Sequence, residues 1–243
     1  MSRKILVTGA GTGIGAATAR RFAPGGEVVV HYCHSQAAAE SVARDIQAAG
    51  GVAHVVQADL STEDGCRHLV DAVSDQCGQL DVLVNNSGGL VRRCAAKELD
   101  WQLMVDSFSL NVFSAMKVAS LCVPLLEKGE NPCIVNVTSI AARHGAPSAT
   151  IYGACKGALD TFTRGLAKEL APLIRVSAVA PGVIETPFHE KVTSEAKMEE
   201  FRQATPLKRN GQAEEIAAAI AFLAENLFST GETLDVNGGL FMR

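Results

Sequence analysis

A run of small residues between a short apolar stretch and a helix constrains this chain more than any other feature. Lys4 to Val7 reads as a strand. Thr8-Gly9-Ala10-Gly11-Thr12-Gly13-Ile14-Gly15 follows as a glycine-rich loop, and Ala16 to Phe22 as a helix closed by Pro24-Gly25-Gly26. Strand, glycine loop and helix in that order form a dinucleotide-binding turn. Glycine lets the backbone come close to a pyrophosphate, and the helix N-terminus supplies amide donors and a partial positive charge.

Downstream, strands and helices keep alternating. Strands are expected at Glu27–His31, Val52–Gln57, Leu80–Val84, Cys133–Val137, Arg175–Ala180 and Leu234–Val236. Helices are expected at Ala37–Ala49, from Thr62 to Cys77, and at Leu99–Glu127, Ile151–Leu170, Phe188–Gln203 and Ala213–Ala224. The apolar positions Ile151, Leu159, Phe162, Leu166 and Leu170 keep helical spacing. Such alternation implies an α/β fold, a doubly wound parallel sheet covered on both faces. At 243 residues, with no repeat, low-complexity tract or long linker, residues 1–243 read as a single domain. Ligands of such sheets lie beyond the carboxyl ends of the strands. The glycine loop, the turn at Asn85, Ser139 and Pro181-Gly182 all follow strands and so gather at one edge.

The end of the second strand meets the adenosine ribose in a dinucleotide fold. An acid there selects NAD, and a basic or small polar group accommodates the 2′-phosphate of NADP. This chain has Tyr32-Cys33-His34-Ser35, with no acid before Glu40. His34 and Ser35 are the evident donors, and NADP(H) is favoured over NAD(H).

Tyr152 and Lys156 lie four residues apart and share a helix face. An ammonium beside a phenol favours the phenolate, which suits a Tyr to proton transfer near neutral pH. By itself such a pair is usually a surface feature. Ser139, which follows a buried strand, and Asn111 on the preceding helix give it company at the same edge.

Composition excludes several classes. The formal net charge of −4 offers no basic stripe for nucleic acid. The apolar run Val118–Leu126 is broken by Ser120 and Pro124, so no membrane span is expected. The N-terminus, Met1-Ser-Arg-Lys before Ile5-Leu6-Val7, lacks the long apolar region of a signal peptide. The seven Cys are odd in number and scattered without C-x-x-C, and the six His form no H-E-x-x-H. Reduced thiols in a cytoplasmic protein are expected, with no disulfide framework, no metal site, and histidines mostly at the surface or in caps.

With these residues on view, the chain resembles a short-chain dehydrogenase/reductase nearly end to end. Thr8–Gly15 is similar to the family's T-G-x-x-x-G-I-G loop, and Asn85-Asn86-Ser87-Gly88 to its N-N-A-G turn. Asn111, Ser139, Tyr152 and Lys156 match its catalytic four. Pro181-Gly182 with Ile184 and Thr186 matches its segment at the nicotinamide. Leu207–Ile216 and Val236-Asn237-Gly238-Gly239 match its C-terminal pattern. Cys155 stands where the family most often has Ser, Asn237 where Asp is frequent, and His34 where NADP-using members often have Arg.

The nearest likeness is to 3-oxoacyl-[acyl-carrier-protein] reductases. The resemblance implies a Rossmann fold and hydride exchange between NADP(H) and a carbonyl or secondary alcohol. Tyr152 would be the proton donor, Ser139 the group holding the carbonyl oxygen, Lys156 the partner of Tyr152 and of the nicotinamide ribose, and Asn111 the anchor of a relay water. Asp59, with Leu60 beside it, would touch adenine, and Asn85, Ser87 and Gly88 the cofactor backbone. A homotetramer or homodimer is implied, packed through the two long helices and the last strand. The substrate would be a small molecule, free or linked to an acyl carrier. Loops Gly89–Ala95, Ala141–Ser148 and Phe188–Met198 would shape its pocket, with Arg92, Arg93, Arg143 and His144 placed either to attract an anion or simply in solvent. Alternatives are an NAD(H)-dependent dehydrogenase of a small alcohol, sugar or steroid-like substrate, and a dinucleotide-binding sensor without catalysis. An epimerase or dehydratase of sugar nucleotides would ask for more chain than the Leu240-Phe241-Met242-Arg243 that follows Gly239.

Overall fold

Seven parallel strands form the centre of the computed structural model, which describes residues 2–188 and 193–242. They are β1 (Arg3–Val7), β2 (Gly26–Tyr32), β3 (Val52–Gln57), β4 (Val82–Asn85), β5 (Cys133–Val137), β6 (Arg175–Pro181) and β9 (Thr233–Val236). Their order across the sheet is β3-β2-β1-β4-β5-β6-β9, and every adjacent pair is parallel. A two-residue pair, β7 (Ile184–Glu185) with β8 (Gly211–Gln212), sits apart from the sheet.

The sheet is covered on both faces because its central strands are apolar on both. Ile5, Val7, Val28, Val30, Val82, Val84 and Val135 pack against α1 (Gly13–Arg21), α2 (Gln36–Ala48) and α9 (Ala213–Glu225). Leu6, Val29, Leu83, Ile134 and Val176 face α3 (Glu63–Cys77), α5 (Ser114–Leu126) and α7 (Thr150–Leu170). Each such Val or Leu, fully buried, contributes roughly 1.5–3 kcal/mol of transfer free energy. The chain order reverses between β1 and β4, since β2 and β3 lie on one side of β1 and β4 on the other. That switch point opens the crevice in which open α/β sheets bind ligands.

Three elements differ from the sequence expectation. The predicted helix Leu99–Glu127 is α4 (Trp101–Phe108), a π turn (Ser109–Phe113) and α5, with a 3₁₀ turn Ala96–Glu98 before it. Two side chains explain the π turn. Asn111 Nδ2 donates to the Ser107 carbonyl at 2.9 Å, and Ser114 Oγ to the Leu110 carbonyl at 2.7 Å. Side chains that take acceptors at i−4 compete with the helical ladder and loosen it. This stretch, Trp101–Leu126, is long and apolar enough to cross a membrane by length and composition. Half of its most apolar window is buried inside the protein, where α5 covers the sheet, which gives that composition a fold reason. In the loop after Ser139, α6 (Ala141–His144) is a short helix that the sequence did not announce. The expected helix Phe188–Gln203 appears as α8 (Glu195–Ala204), capped by Ser194 Oγ, and residues 189–192 of that expectation lie outside the described residues.

Candidate active site

The glycine loop is fastened to its neighbours from two sides. Thr8 Oγ1 accepts from the Asn86 and Ser87 amides, each at 2.9 Å. Asn86 Nδ2 donates back to the Thr8 and Gly9 carbonyls at 2.9 and 3.1 Å. On the other side the Gly9 amide donates to His31 Nδ1 at 2.9 Å, so the ring carries its proton on Nε2, which donates to the Ala58 carbonyl at 3.1 Å. His31 is 2% exposed, and burial pushes its pKa below the usual value despite the Ala58 carbonyl, which raises it. The expectation of bland surface histidines therefore fails at His31, which ties the loop to β2 and β3. His31 carries no signal in the sequence beyond its place at a strand end, whereas Asn86 belongs to the Asn85–Gly88 turn that the sequence already marks.

The loop's shape leaves room only for glycine. Gly9 and Gly13 have φ +64° and +54°, in the left-handed region that glycine alone enters freely. A Cβ on Gly15 would lie 2.2 Å from the Gly9 carbonyl oxygen, so α1 starts in contact with the loop. Across from Gly13, at 3.3 Å from where its Cβ would be, stands Thr186, whose Oγ1 donates to the Ile184 carbonyl at 3.3 Å. Ser35 Oγ lies 2.5 Å from a Cβ on Gly11, so the end of β2 borders the loop. Nearby, Cys33 Sγ is 3.4 Å from His34 Nε2. Asp59 accepts from the Ser61 hydroxyl and amide, which hold its carboxyl below the usual range. The cradle between Gly9–Gly15, Ser35, Asp59 and Thr186 fits a dinucleotide by the backbone approach that these glycines leave open.

Other predicted cofactor residues are placed with their side chains turned inward. Asn85 Nδ2 donates to Asn136 Oδ1 at 3.0 Å, and Asn136 Nδ2 to Thr163 Oγ1 at 2.9 Å, a buried chain linking β4, β5 and α7. Leu60 and Ile184 are 6% and 4% exposed and pack in the two cores. Pro181 and Gly182 shape the end of β6. The Pro181 carbonyl accepts from Ile140, and Gly182 donates to the Val236 carbonyl.

At the same edge the four candidate catalytic side chains converge. Ser139 follows β5, and its hydroxyl lies close enough to the Tyr152 phenol to favour the ionised form, while its Oγ accepts from the Ala141 amide at 3.1 Å. Lys156, 3% exposed, donates from Nζ to the Val137 carbonyl at 2.9 Å and stands 5.7 Å from the Tyr152 ring centroid. Asn111 is fully buried in the π turn. Its Oδ1 accepts from the Gly89 amide at 2.8 Å, and its Nδ2 donates to the Gly89 carbonyl at 2.9 Å. Gly88, at φ +152°, sits between them. A Cβ there would meet Asn111 Oδ1 at 2.6 Å and Lys156 Nζ at 3.3 Å.

The electrostatics differ from the sequence expectation. Burial pushes the Tyr152 phenol up to about 12, offset in part by Ser139, and pushes Lys156 down to about 8. Enclosure of both groups outweighs the pull of the ammonium on the phenol. At neutral pH Tyr152 therefore holds its proton, the form needed to give one to an oxygen.

Beside Tyr152 lies a small cleft lined by Leu90, Leu99, Leu103 and Ile151 together with the polar Arg92 and Ser148. Phe188 stacks at 6.2 Å from the Tyr152 ring. The two loops are joined where the Cys94 amide donates to the Ser148 carbonyl at 2.9 Å. The arginines are not arrayed as an anion trap. Arg92 pairs with Asp100, and Arg93 NH1 reaches Ser148 Oγ at 3.4 Å. Arg143 turns away into a charged cluster, 3.2 Å from Asp235 of β9 and 3.8 Å from Asp160 of α7. Asp160 also accepts from Thr233 and Arg164, each at 2.6 Å. Arg143 thus ties the Ser139 segment to the Tyr152 helix. His144 Nδ1 accepts from the Ala146 amide.

Comparison with known proteins bears on the family and the fold. The family description enoyl-(acyl carrier protein) reductase matches residues 9–241. A 3-oxoacyl-[acyl-carrier-protein] reductase of Synechocystis sp. is 40% identical over 98% of this chain and 96% of its own length. A short-chain dehydrogenase from Burkholderia cenocepacia, solved in complex with NADP, superposes with a TM-score of 0.92 at 32% identity, covering 99% of this chain and 98% of that one. An NADH-dependent reductase of alginate metabolism gives a TM-score of 0.91 at 29% identity, covering 100% and 98%.

Proposed function

The chain belongs to the short-chain dehydrogenase/reductase family, and from that premise we propose that it is an NADPH-dependent reductase of 3-oxoacyl thioesters. The family supports an oxidoreductase that uses a nicotinamide cofactor. The thioester is taken from the name of the Synechocystis relative, a 3-oxoacyl-[acyl-carrier-protein] reductase. The observation that carries the reading is the gathering of Ser139, Tyr152 and the buried Lys156 at the carboxyl edge of the sheet, with the Lys156 ammonium 5.7 Å from the Tyr152 ring centroid.

Residues Gly9 to Gly15, Ser35, Asp59, Ser87, Gly88 and Thr186 would hold the dinucleotide, which supplies the hydride when bound. Ser139 donates a hydrogen bond to the substrate carbonyl oxygen and fixes its place, as a preorganised donor aimed where negative charge grows. Tyr152 gives that oxygen its phenolic proton. Lys156, near neutrality by burial, stands ready to return a proton through water held near Asn111. His34 and Ser35 favour the 2′-phosphate of NADP, with no acid on their own segment before Glu40 and the nearby Asp59 carboxylate held by Ser61. The solved relatives include both an NADP complex and an NADH-dependent enzyme, so the reading of NADP rests on the end of β2.

The protein is proposed to work as a homodimer or homotetramer in the cytoplasm. Trp101 and Phe113 on the α4–α5 stretch are 77% and 55% exposed, which supports a helix-to-helix contact between copies. The cysteines among the described residues are all free thiols.

The test is initial-rate measurement with a panel of 3-oxoacyl thioesters, simple ketones and secondary alcohols, with NADPH and NADH in parallel. The proposal expects the highest kcat/KM for a 3-oxoacyl thioester with NADPH. Preference for an alcohol with NAD would replace it with the dehydrogenase reading, and tight dinucleotide binding without any turnover with the sensor reading.

A further inference from the structure

At the sheet edge opposite the catalytic one, three chemically different ligand groups meet. Glu27 begins β2, His54 lies in β3, and Cys77 ends α3. All three project on the face that α3 covers, as Val29, Val56 and Val73 do. His54 Nε2 is 3.0 Å from Glu27 Oε1, and Cys77 Sγ is 3.9 Å from the same oxygen. One atom from each residue lies within 4.8 Å of the other two. From these positions we infer that Glu27, His54 and Cys77 form a binding site for a thiophilic divalent cation of the zinc type.

The argument is one of distance and donor type. Zinc bonds of about 2.3 Å to sulfur and about 2.0–2.2 Å to nitrogen and oxygen, at tetrahedral angles, separate ligand atoms by roughly 3.3–3.6 Å. Separations of 3.0 and 3.9 Å from the shared Glu27 oxygen bracket that range, and the third lies within 4.8 Å, so a cation would draw the His54 and Cys77 side chains together. A thiol, an imidazole and a carboxylate make a mixed set that zinc accepts and that calcium and magnesium, which want oxygen, do not. Three protein ligands leave a fourth position. It opens to solvent, because the Glu27 and His54 side chains keep 18% and 27% exposure while Cys77 is buried beneath them.

The charge environment sets the cost. Burial, the Glu27 carboxylate and Asp81 push the Cys77 thiol up to about 11, so a cation has to displace its proton against that preference. Lys4 of β1 faces the same way, with its ammonium hydrogen-bonded to the Cys77 carbonyl, and acts in the opposite direction. On binding, the Cys77 S–H bond breaks, a metal–sulfur bond forms, and that proton leaves to solvent. The imidazole shifts its proton to Nδ1 and gives the Nε2 lone pair to the metal in place of its contact with Glu27. No electron changes hands. The spacing 27, 54, 77 resembles no short metal motif, which is why the sequence alone gave no sign of it.

The cation would pin β2, β3 and the end of α3 together, away from the catalytic residues. The test titrates chelator-treated full-length protein with Co²⁺ under anaerobic conditions, then measures thermal unfolding with and without Zn²⁺. The inference expects one equivalent of Co²⁺ with a sulfur-to-cobalt charge-transfer band in the near ultraviolet. That band disappears in Cys77→Ser and survives in a Cys33→Ser/Cys94→Ser variant. His54→Gln weakens binding by more than the roughly 10–100-fold that loss of an outer partner costs. Zn²⁺ raises the unfolding temperature of wild type and not of Cys77→Ser. If Cys77→Ser does not fold, His54→Gln alone decides. No charge-transfer band, or binding unchanged in His54→Gln, overturns the inference.

Discussion

Replacing Arg143 by Met removes the guanidinium that joins the Ser139 segment to α7 and β9. The side chains of Arg143 and Asp235 are each 18% exposed, and that of Asp160 is 12% exposed. Breaking a buried ion pair by removing one partner costs about 3–5 kcal/mol. Here the longer contact to Asp160 and the retained Arg164 and Thr233 partners reduce this to roughly 2–3 kcal/mol. For a chain of this size that corresponds to a fall in unfolding temperature of about 4–12 °C. The kinetic effect should be on kcat, because Ser139 and Tyr152 lose the tie that holds their separation. A displacement of about 1 Å can cost up to a hundredfold, and we expect roughly tenfold. Cofactor affinity, set at the other side of the crevice, should stay within about twofold. Arg143→Lys should recover less than half of the loss, since an ammonium cannot span two carboxylates as a planar fork does. The assay is thermal unfolding together with kcat, KM and fluorescence titration of cofactor. An Arg143→Met protein that melts within about a degree of wild type at unchanged kcat would refute the reasoning, since the cluster would then carry neither stability nor position.

The remaining predictions concern pH, the loop and the cofactor. Burial opposes ionisation of Asp160, but Thr233, Arg164 and Arg143 more than offset it, so its folded pKa lies below the ordinary value. The stability it contributes is therefore complete above the ordinary carboxylate range and is lost as pH falls through the lowered value, and Asp160→Asn should flatten that limb of an acid-unfolding curve. His31 has a folded pKa below its unfolded value, so the unfolded chain takes up a proton first as pH falls. Stability should drop by up to about 1.4 kcal/mol per pH unit below about 6.5 until the folded value is reached, and His31→Gln should abolish that slope in denaturant titrations. Gly15→Ala places a methyl 2.2 Å from the Gly9 carbonyl oxygen and should weaken dinucleotide binding at least tenfold by calorimetry. His34→Asp should turn the preference from NADPH to NADH, read as a reversal of the kcat/KM ratio; an unchanged ratio would move the specificity away from the end of β2.

Much of the fold follows from local pattern. The strands are apolar runs buried on both faces, and glycine, proline and a cap such as Thr62 mark the boundaries, so alternation alone places the sheet and its ligand edge. The π turn was not legible, because it arises from Asn111 and Ser114 side chains competing for helical acceptors, which depends on Gly89 lying alongside. Arg143 in sequence is a basic residue in a loop. Only the return of β9 beside α7 brings Asp235 and Asp160 to it. The state of Tyr152 was misjudged for a similar reason. Spacing shows that Lys156 is near, and only the packed site shows that burial outweighs it. His31 acts through a backbone group of a loop more than twenty residues distant in sequence, which no local signal reports.

The central claim is that Ser139, Tyr152 and Lys156 deliver a proton to a carbonyl oxygen during hydride transfer. It is tested most directly by following nicotinamide absorbance in single turnovers of Tyr152→Phe with a 3-oxoacyl thioester and NADPH. Phe keeps the ring and its contact with Phe188 and removes only the hydroxyl. The account predicts a rate lower by about 10²–10⁴-fold, the scale of a lost general acid, with cofactor affinity within about twofold of wild type. A Tyr152→Phe protein that consumes NADPH at the wild-type rate would contradict it.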